Sequence, residues 1–521
     1  MTKEFNYTGT CIPTEHYMVD TTQELEEIFA LIERKKYFTI NRPRQYGKST
    51  TLFLLTRRLR ERGFVVLKTS FEALGQEAFA NEPGFTTSFL ALIKKQFTRT
   101  KFKEGLDLLE THSPGNFIDL DLFITELTEQ LDSGVILLID EVDAATNNDL
   151  FLKFLALLRS KYLSRNEGDD STFQSVILAG VHDVKTIKRK ISPDSKQQYN
   201  SPWNIAVDFT VDLSFDAPEI ETMLANYGRA QQVEMDIPAI AERLYHFTSG
   251  YPFLVSKLCY IIETFIRGEE TSWSLGFVDR AVDHILRENN TNFESLIKNL
   301  ENNPDLYKLV EELLLEDARV GFSEHNKYIK MGLTYGIFRK ADTLQIHNLI
   351  YKELLYNYMA LNLSIEKLIC KKIDHYNFQN QFLCPDNTLD FEKMLLKFQQ
   401  FMKEQYSPKD KEFLERNWRL LYLAFLKPII NGHGFDFKEP QISEERRIDV
   451  VITYYNRKYI NELKIWHGAK AHEAGLDQLA DYLERQEVDK GYLVIFDFRK
   501  TMDFAQERVT LRGKEIFMVW V

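Results

Sequence analysis

The sequence predicts an α/β fold: an N-terminal parallel sheet with a phosphate-binding loop, a helical lid and a winged-helix-like module, then a smaller C-terminal α/β domain. Three observations predict it. YFTINRPRQYGKSTTLFLLTRRLRER (37–62) reads as strand, loop and helix, with Gly47-Lys48-Ser49 at the loop-to-helix junction. GVILLIDEVD (134–143) and SVILAGV (175–181) are continuous apolar runs, the pattern of strands buried on both faces of a parallel sheet. RIDVVITYYNRKYINELKI (447–465) reads as two strands joined near Tyr455-Asn456, and AGLDQLADYLERQEVDKGYLVIFDF (474–498) follows as a helix and a buried strand.

The bulk numbers agree with folded protein. The chain has 521 residues, 44% hydrophobic and 27% charged, enough for several separately cored domains. Cys11, Cys259, Cys370 and Cys384 lie far apart without Cys-x-x-Cys spacing, which argues against a disulfide scaffold or a thiolate zinc site. MTKEFNYTGT lacks an apolar signal core, and no run approaches the roughly 18 apolar residues of a membrane span, so a cytoplasmic location without membrane attachment is expected. A net charge of -12 gives no global attraction for nucleic acid, so such a partner would need local clusters of Lys and Arg.

In the first part, Gly47-Lys48-Ser49 stands where a phosphate loop needs it. Amide N–H groups at a helix N-terminus attract phosphate, Lys48 would reach the β and γ phosphates, and the Ser49 hydroxyl would ligate Mg²⁺, with Thr50 next to it. The general pattern Gly-x-x-x-x-Gly-Lys-Ser is broken at its first glycine by Arg42. The run 134–143 ends in Asp140-Glu141, at the end where a parallel sheet presents its ligands. Asp140 would hold Mg²⁺ and Glu141 would polarise the attacking water, so the expected cofactors are ATP and Mg²⁺. His182-Asp183, after the run 175–181, would sense the γ-phosphate or form a surface turn.

The middle of the chain is helical from Asp216 to about Leu300, with Gly250-Tyr251-Pro252 opening an apolar helix. This resembles the Gly-x-Pro lid element of STAND-type signalling ATPases. LYKLVEELLLE (306–316) and GIFRKADTLQIHNLIYKELLYNYM (336–359) suggest a winged helix with its wing near Phe338 to Ile346. Helical connector follows over 366–408, and Ser407-Pro408 marks a boundary. The expected division is 1–215 nucleotide domain, 216–300 lid, 301–365 winged-helix-like module, 366–408 connector and 409–521 last domain.

In the last domain, alternation puts Ile460, Glu462 and Lys464 on one face of a strand. With a two-residue or four-residue connection, Asp449 pairs opposite Glu462 or Lys464 and shares that face; a three-residue loop turns it away. Asp449 and Glu462 would then offer oxygen ligands for Mg²⁺, and Lys464 would position the water that attacks a phosphodiester. A cross-strand salt bridge has the same composition, but the following helix carries Gln478-x-x-x-Tyr482 one turn apart, and KEFLERNWRLLYLAFLKPII (411–430) ahead of the hairpin bears Glu415. His467 and His472 are read as surface residues.

These stretches, with FNYTGTCIPTEHYMVD, LLIDEVDAATNN, NSPWNIAVDF and TSGYPFLVSKLC, resemble bacterial proteins that fuse an AAA-ATPase-like domain to a C-terminal PD-(D/E)XK nuclease domain, over almost the full length. The family's loop reads Arg-x-Arg-x-x-Gly-Lys-Ser/Thr, so Arg42 conforms to it. The resemblance implies nucleotide binding by Gly47, Lys48, Ser49, Thr50 and Asp140, with Glu141 catalytic. It implies a nuclease site of Asp449, Glu462, Lys464 and Gln478, with Glu415 as a further acid. The expected partner is nucleic acid, DNA above all, with phosphate contacts from local cations such as Arg446, Arg447, Lys458, Lys470 and Arg499; a homo-oligomer is a further expectation, because ATPases of this class often need a neighbour's arginine, for which the sequence offers no secure candidate. The rival expectation is a STAND-like signalling or scaffolding ATPase whose nuclease-like domain only binds.

Overall fold

The computed structural model describes residues 3–97, 103–131, 133–146, 148–181, 184, 189–190, 198–199, 201–288, 290–315, 320–362, 381–386, 388–405, 418, 421–422, 425–426, 429, 434–437, 450–454, 457–466, 468–486, 488–499 and 504–521. The chain forms two compact units, Met1–Leu306 with Gly321–Lys352, and Tyr307–Val320 with Glu353–Val521.

The first unit is built on a parallel sheet of β1 (Phe38–Asn41), β2 (Val65–Ser70), β3 (Val135–Asp140) and β4 (Ser175–Gly180), in the order β1-β4-β3-β2. Every residue of β3 and β4 is buried, which is why both read as unbroken apolar runs. Helix α1 (Thr22–Glu33) precedes the sheet, and α2 (Lys48–Glu61) joins β1 to β2. Helices α3 (Glu82–Phe97), α4 (Lys103–Thr111) and α5 (Phe117–Gln130) lie between β2 and β3, and α6 (Asp149–Glu167) between β3 and β4. Leu67, Leu137 and Ile139 share a core with Phe71, Phe85, Phe89 and Phe154. The Phe89 and Phe154 rings meet at 4.9 Å, and emptying either position costs about 3–5 kcal/mol. A short pair, β5 (Arg189–Lys190) and β6 (Gln198–Tyr199), follows.

Five helices come next: α7 (Ala217–Gln231), α8 (Ile237–Thr248), α9 (Pro252–Ile261), α10 (Leu275–Arg287) and α11 (Thr291–Glu301). α7 starts with a capping box in which Asp216 accepts from the Glu219 N–H and Glu219 accepts from the Asp216 N–H, both at 2.7 Å. Gly250, at φ +70, lies so close to the main chain of Phe215 that a Cβ would stand 1.8 Å from its carbonyl oxygen. Only glycine allows the 2.9 Å bond from the Phe215 N–H to the Gly250 carbonyl that ties the lid to the preceding segment. Helices α12 (Pro304–Leu315) and α13 (Lys327–Thr334), strands β7 (Phe338–Arg339) and β8 (Gln345–Ile346), and helix α14 (Leu349–Asn362) follow, with a two-stranded hairpin where the sequence suggests a wing.

The second unit carries a mixed sheet of β9 (Gly434–Phe437), β10 (Val450–Tyr454), β11 (Arg457–Ile465), β12 (Lys490–Phe496), β13 (Gln506–Leu511) and β14 (Lys514–Trp520), ordered β13-β14-β12-β11-β10-β9. β11, β12 and β14 run parallel and the other pairs are antiparallel. Helix α15 (Phe391–Gln405) sets Phe391 against Tyr459 and Tyr492, and helix α16 (Ala469–Arg485) joins β11 to β12. Ile460, Leu493, Ile495 and Met518 form one core with Leu479 and Leu483 of α16. Ile460, Glu462 and Lys464 therefore stand on the sheet face that α16 covers. Among the described residues no helix is long and apolar enough to cross a membrane.

Candidate functional sites

At the end of β1 the chain turns through Arg42 to Tyr46 and enters α2 at Gly47, whose φ of 79 is left-handed. Lys48 is buried, and its ammonium donates to the carbonyls of Pro43 at 2.8 Å and Arg42 at 3.0 Å. Burial holds Lys48 below the usual lysine range, opposed by Glu141 and Asp140. The Ser49 hydroxyl donates to Asp140 at 3.0 Å, joining the start of α2 to the end of β3. Asp140 also accepts from the Glu141 N–H at 3.0 Å. Glu141 takes a left-handed φ of 51, and burial, then the charge of Asp140, raises its carboxyl above the ordinary range. Asp143 accepts from the Val181 N–H at 2.6 Å, fastening the ends of β3 and β4 side by side. Gly47, Lys48, Ser49, Asp140 and Glu141 thus converge.

Thr50 has a different contact: its hydroxyl accepts from the Cys11 N–H at 3.0 Å, which brings the N-terminal segment onto α2. A cavity of about 130 Å³ opens there, lined among others by Tyr7, Cys11, Met18, Gly47, Thr50 and Pro252. Arg42, in place of the general glycine, is a fastener: its side chain donates to the Val211 and Asn41 carbonyls and lies 5.1 Å from the Phe209 ring centre. His182 and Asp183 lie outside the described residues.

The sequence reading missed the residues that grip the loop from the lid and the wing. Tyr251 donates its hydroxyl to the Arg44 carbonyl at 2.6 Å. The Tyr46 hydroxyl meets Ser214 at 2.5 Å and His347 Nε2 at 3.2 Å, and the Tyr46 ring packs edge-on to Tyr251 at 4.8 Å. Burial pushes the His347 imidazole down to about 4, so it stays neutral. Tyr351, packed on Tyr251 at 5.4 Å, donates to Asn292 at 2.7 Å. The only local signal for this cluster was Gly250-Tyr251-Pro252 itself.

In the second unit, Tyr454 pairs with Arg457, so the β10–β11 connection is two residues long. Glu462 is fully buried, and Lys464, whose side chain is 38% exposed, pairs with it at 2.7 Å. A Cβ on Gly475 would stand 3.6 Å from Lys464 Cε, so α16 crosses the lysine at this glycine. Gln478, half-buried, is one turn further along that face, whereas Tyr482 sits in the core with its phenol pushed up to about 12 by burial. Asp449 and Glu415 lie outside the described residues, as do Arg446, Arg447 and His467. Of the expected cations, Lys458 donates to Gln486 and Arg499 pairs with Asp497; the Lys470 side chain is outside the described set. Among the described residues no group of three His, Cys, Asp or Glu could hold a metal ion.

A phosphate-loop helix after β1, an acidic pair at the end of β3 and the order β1-β4-β3-β2 define an AAA-like P-loop ATPase domain. The profile of the AAA-like domain family matches residues 12–357, and the chain belongs to that family. Among solved structures it is similar to a Walker-type ATPase of Pyrococcus abyssi, at 15% identity and a TM-score of 0.45, covering 67% of this chain and 99% of that one. It is also similar to the ORC2 protein of Aeropyrum pernix (14% identity, TM-score 0.37, 69% and 98% covered) and to a RuvB mutant of Thermotoga maritima (14%, 0.33, 64% and 93%). None of the curated proteins compared with the chain matches it.

Proposed function

We propose that the first unit binds and hydrolyses ATP with Mg²⁺. The observation that carries this reading is the 3.0 Å bond from Ser49 to Asp140, because the hydroxyl and carboxylate that would share an Mg²⁺ ion already stand within reach of one centre. Bound there, Mg²⁺ would supply Lewis acidity at the phosphates. Lys48 would exchange its two carbonyl partners for phosphate oxygens, Gly47 to Thr50 would bring the helix N-terminus to them, and Glu141 would orient the attacking water and take its proton. A carboxyl raised above its ordinary range by burial suits that base role.

We infer further that the second unit is a Mg²⁺-dependent nuclease acting on nucleic acid, most of all DNA. A fully buried glutamate held against a half-exposed lysine on a strand face supports this reading, since an unpaired buried charge is costly and this pair opens to solvent on one side. Asp449, expected from the sequence to face Glu462, would share the metal with it, and Glu415 would stand nearby. Lys464 would position the attacking water, and Gln478 would hold the lysine or the phosphate. The domain limits proposed from the sequence, with 409–521 as the nuclease, go with this reading, as does self-association through the ATPase part. Nucleotide state would govern the nuclease.

A second reading, a STAND-like signalling ATPase whose last domain only binds, draws support from the burial of Tyr46 against Tyr251 and His347, which turns the hairpin region toward the nucleotide loop. ATP turnover and DNA cleavage in wild type, Lys48→Ala and Glu141→Ala separate the readings. Turnover without any cleavage favours the signalling ATPase; cleavage without turnover leaves the nuclease alone.

A further inference from the structure

The carboxyl ends of β11, β12 and β14 point the same way, and α16 begins where β11 ends. That edge is where parallel strands present ligands. Besides Lys464 it carries Trp466, His472 and Trp520, none of which has a part in the roles proposed above, and Arg499, expected from the sequence only as a phosphate contact. Trp466 extends the ladder, its N–H donating to the Phe496 carbonyl at 2.9 Å. It stands two residues past Lys464, so it shares that face at about 7 Å along the strand. The His472 ring, in the first turn of α16, lies 5.5 Å from Trp466 and 5.8 Å from Trp520. All three rings are partly exposed, although both tryptophans also pack on the core beneath.

Arg499 completes the cluster. Its guanidinium lies 5.1 Å from the Trp466 ring centre and is bound to Asp497, a nearly buried carboxylate. The carboxylate neutralises the cation, so the patch offers aromatic surface more than charge. Aromatic faces beside a site for phosphodiesters match bases that are not already stacked in a duplex.

We infer that Trp466, His472 and Trp520 form a stacking platform for an unpaired nucleobase next to the Glu462–Lys464 pair, which makes single-stranded nucleic acid the substrate class. The inference rests on the nuclease reading and deepens it. Base-paired DNA keeps its ring faces stacked on one another and would reach the platform only after melting. An apolar core cap, by contrast, would be served equally by leucine at both tryptophan positions.

The test is anisotropy of a fluorescein-labelled single-stranded oligonucleotide, and of its blunt duplex, with the full-length protein in EDTA so that metal-dependent cleavage is silent. Wild type should bind the single strand roughly 10-fold more tightly than the duplex. Trp466→Leu and Trp520→Leu should each lose roughly 5- to 100-fold in affinity, and Trp466→Phe should retain most of it. Equal or tighter duplex binding overturns the inference, as does failure to bind either probe, or leucine variants with wild-type melting curves that bind like wild type. The strand preference of the wild type decides where a leucine variant does not fold. A wild type that cleaves nothing with Mg²⁺ yet binds single strands through these tryptophans would sink the nuclease reading and leave the platform standing.

Discussion

Ser49 and Asp140, 91 residues apart in sequence, meet through a 3.0 Å hydrogen bond that joins the first turn of α2 to the last residue of β3. Removing either oxygen takes away a proposed metal contact while leaving Lys48 and the helix N-terminus to hold phosphate. Ser49→Ala and Asp140→Asn should therefore cut ATP turnover by roughly 100-fold or more, while nucleotide binding in EDTA falls far less. Steady-state turnover beside calorimetric titration of ATP checks this. Equal losses in both would place the two residues outside the metal's reach.

The Tyr46–His347 contact makes a pH prediction. His347 is pushed down to about 4 by burial, below its ordinary 6.5, so the unfolded chain binds the proton first as pH falls. Its stabilising contribution is complete above about pH 6.5 and is lost as pH drops toward 4, a change of roughly 3 kcal/mol by linkage. His347→Gln should melt below wild type at pH 7, and the gap should narrow as pH falls to 4. A gap that stays constant across this window would show that the imidazole is not held neutral.

Glu219 should act in the opposite sense. Burial and then the neighbouring Glu24 carboxyl push its carboxyl up to about 8, so the folded chain keeps a proton that the unfolded chain releases near 4.5. Stability from this group is present at low pH and declines as pH rises through that interval. Glu219→Gln keeps a capping-box side chain at the head of α7 and removes the titration. Its melting temperature should vary less than that of wild type between pH 5 and 9, and an unchanged profile in a melting series would contradict the shift.

At the second site, Asp449→Ala or Lys464→Ala should abolish metal-dependent cleavage while the fold survives. Lys464→Ala leaves Glu462 buried without its 2.7 Å ammonium, so this variant should also lose stability on the order of 1–3 kcal/mol. Glu462→Gln with Lys464→Ala should recover part of that loss. Cleavage assays and denaturant melts on the three proteins decide both points.

The buried strands were readable because burial on both faces of a parallel sheet leaves one mark, a continuous apolar run, and β3 and β4 carry it. Gly47-Lys48-Ser49 was readable because a helix N-terminus that binds phosphate needs local geometry. The Glu462–Lys464 pair followed from strand alternation, but the sequence left two, three or four residues open for the hairpin connection, and the pairing of Tyr454 with Arg457 sets it at two. Tyr46 with His347 was not readable: the residues are 301 apart, and nothing local marks a histidine whose partner arrives only through packing. The anchoring role of Arg42 was hidden for the same reason, since its acceptor is the Val211 carbonyl. Thr50 was assigned to the nucleotide from its place in the motif, and its contact with Cys11 depends on a segment that precedes the sheet.

The most direct measurement is cleavage of plasmid, linear and single-stranded DNA by the purified full-length protein with Mg²⁺, with and without ATP, in wild type, Lys464→Ala and Lys48→Ala. The expected result is cleavage by wild type that changes with ATP, none by Lys464→Ala, and loss of the ATP response in Lys48→Ala. Cleavage by Lys464→Ala at the wild-type rate, or no cleavage of any substrate by wild type, would contradict the assignment of Glu462 and Lys464 to a nuclease site.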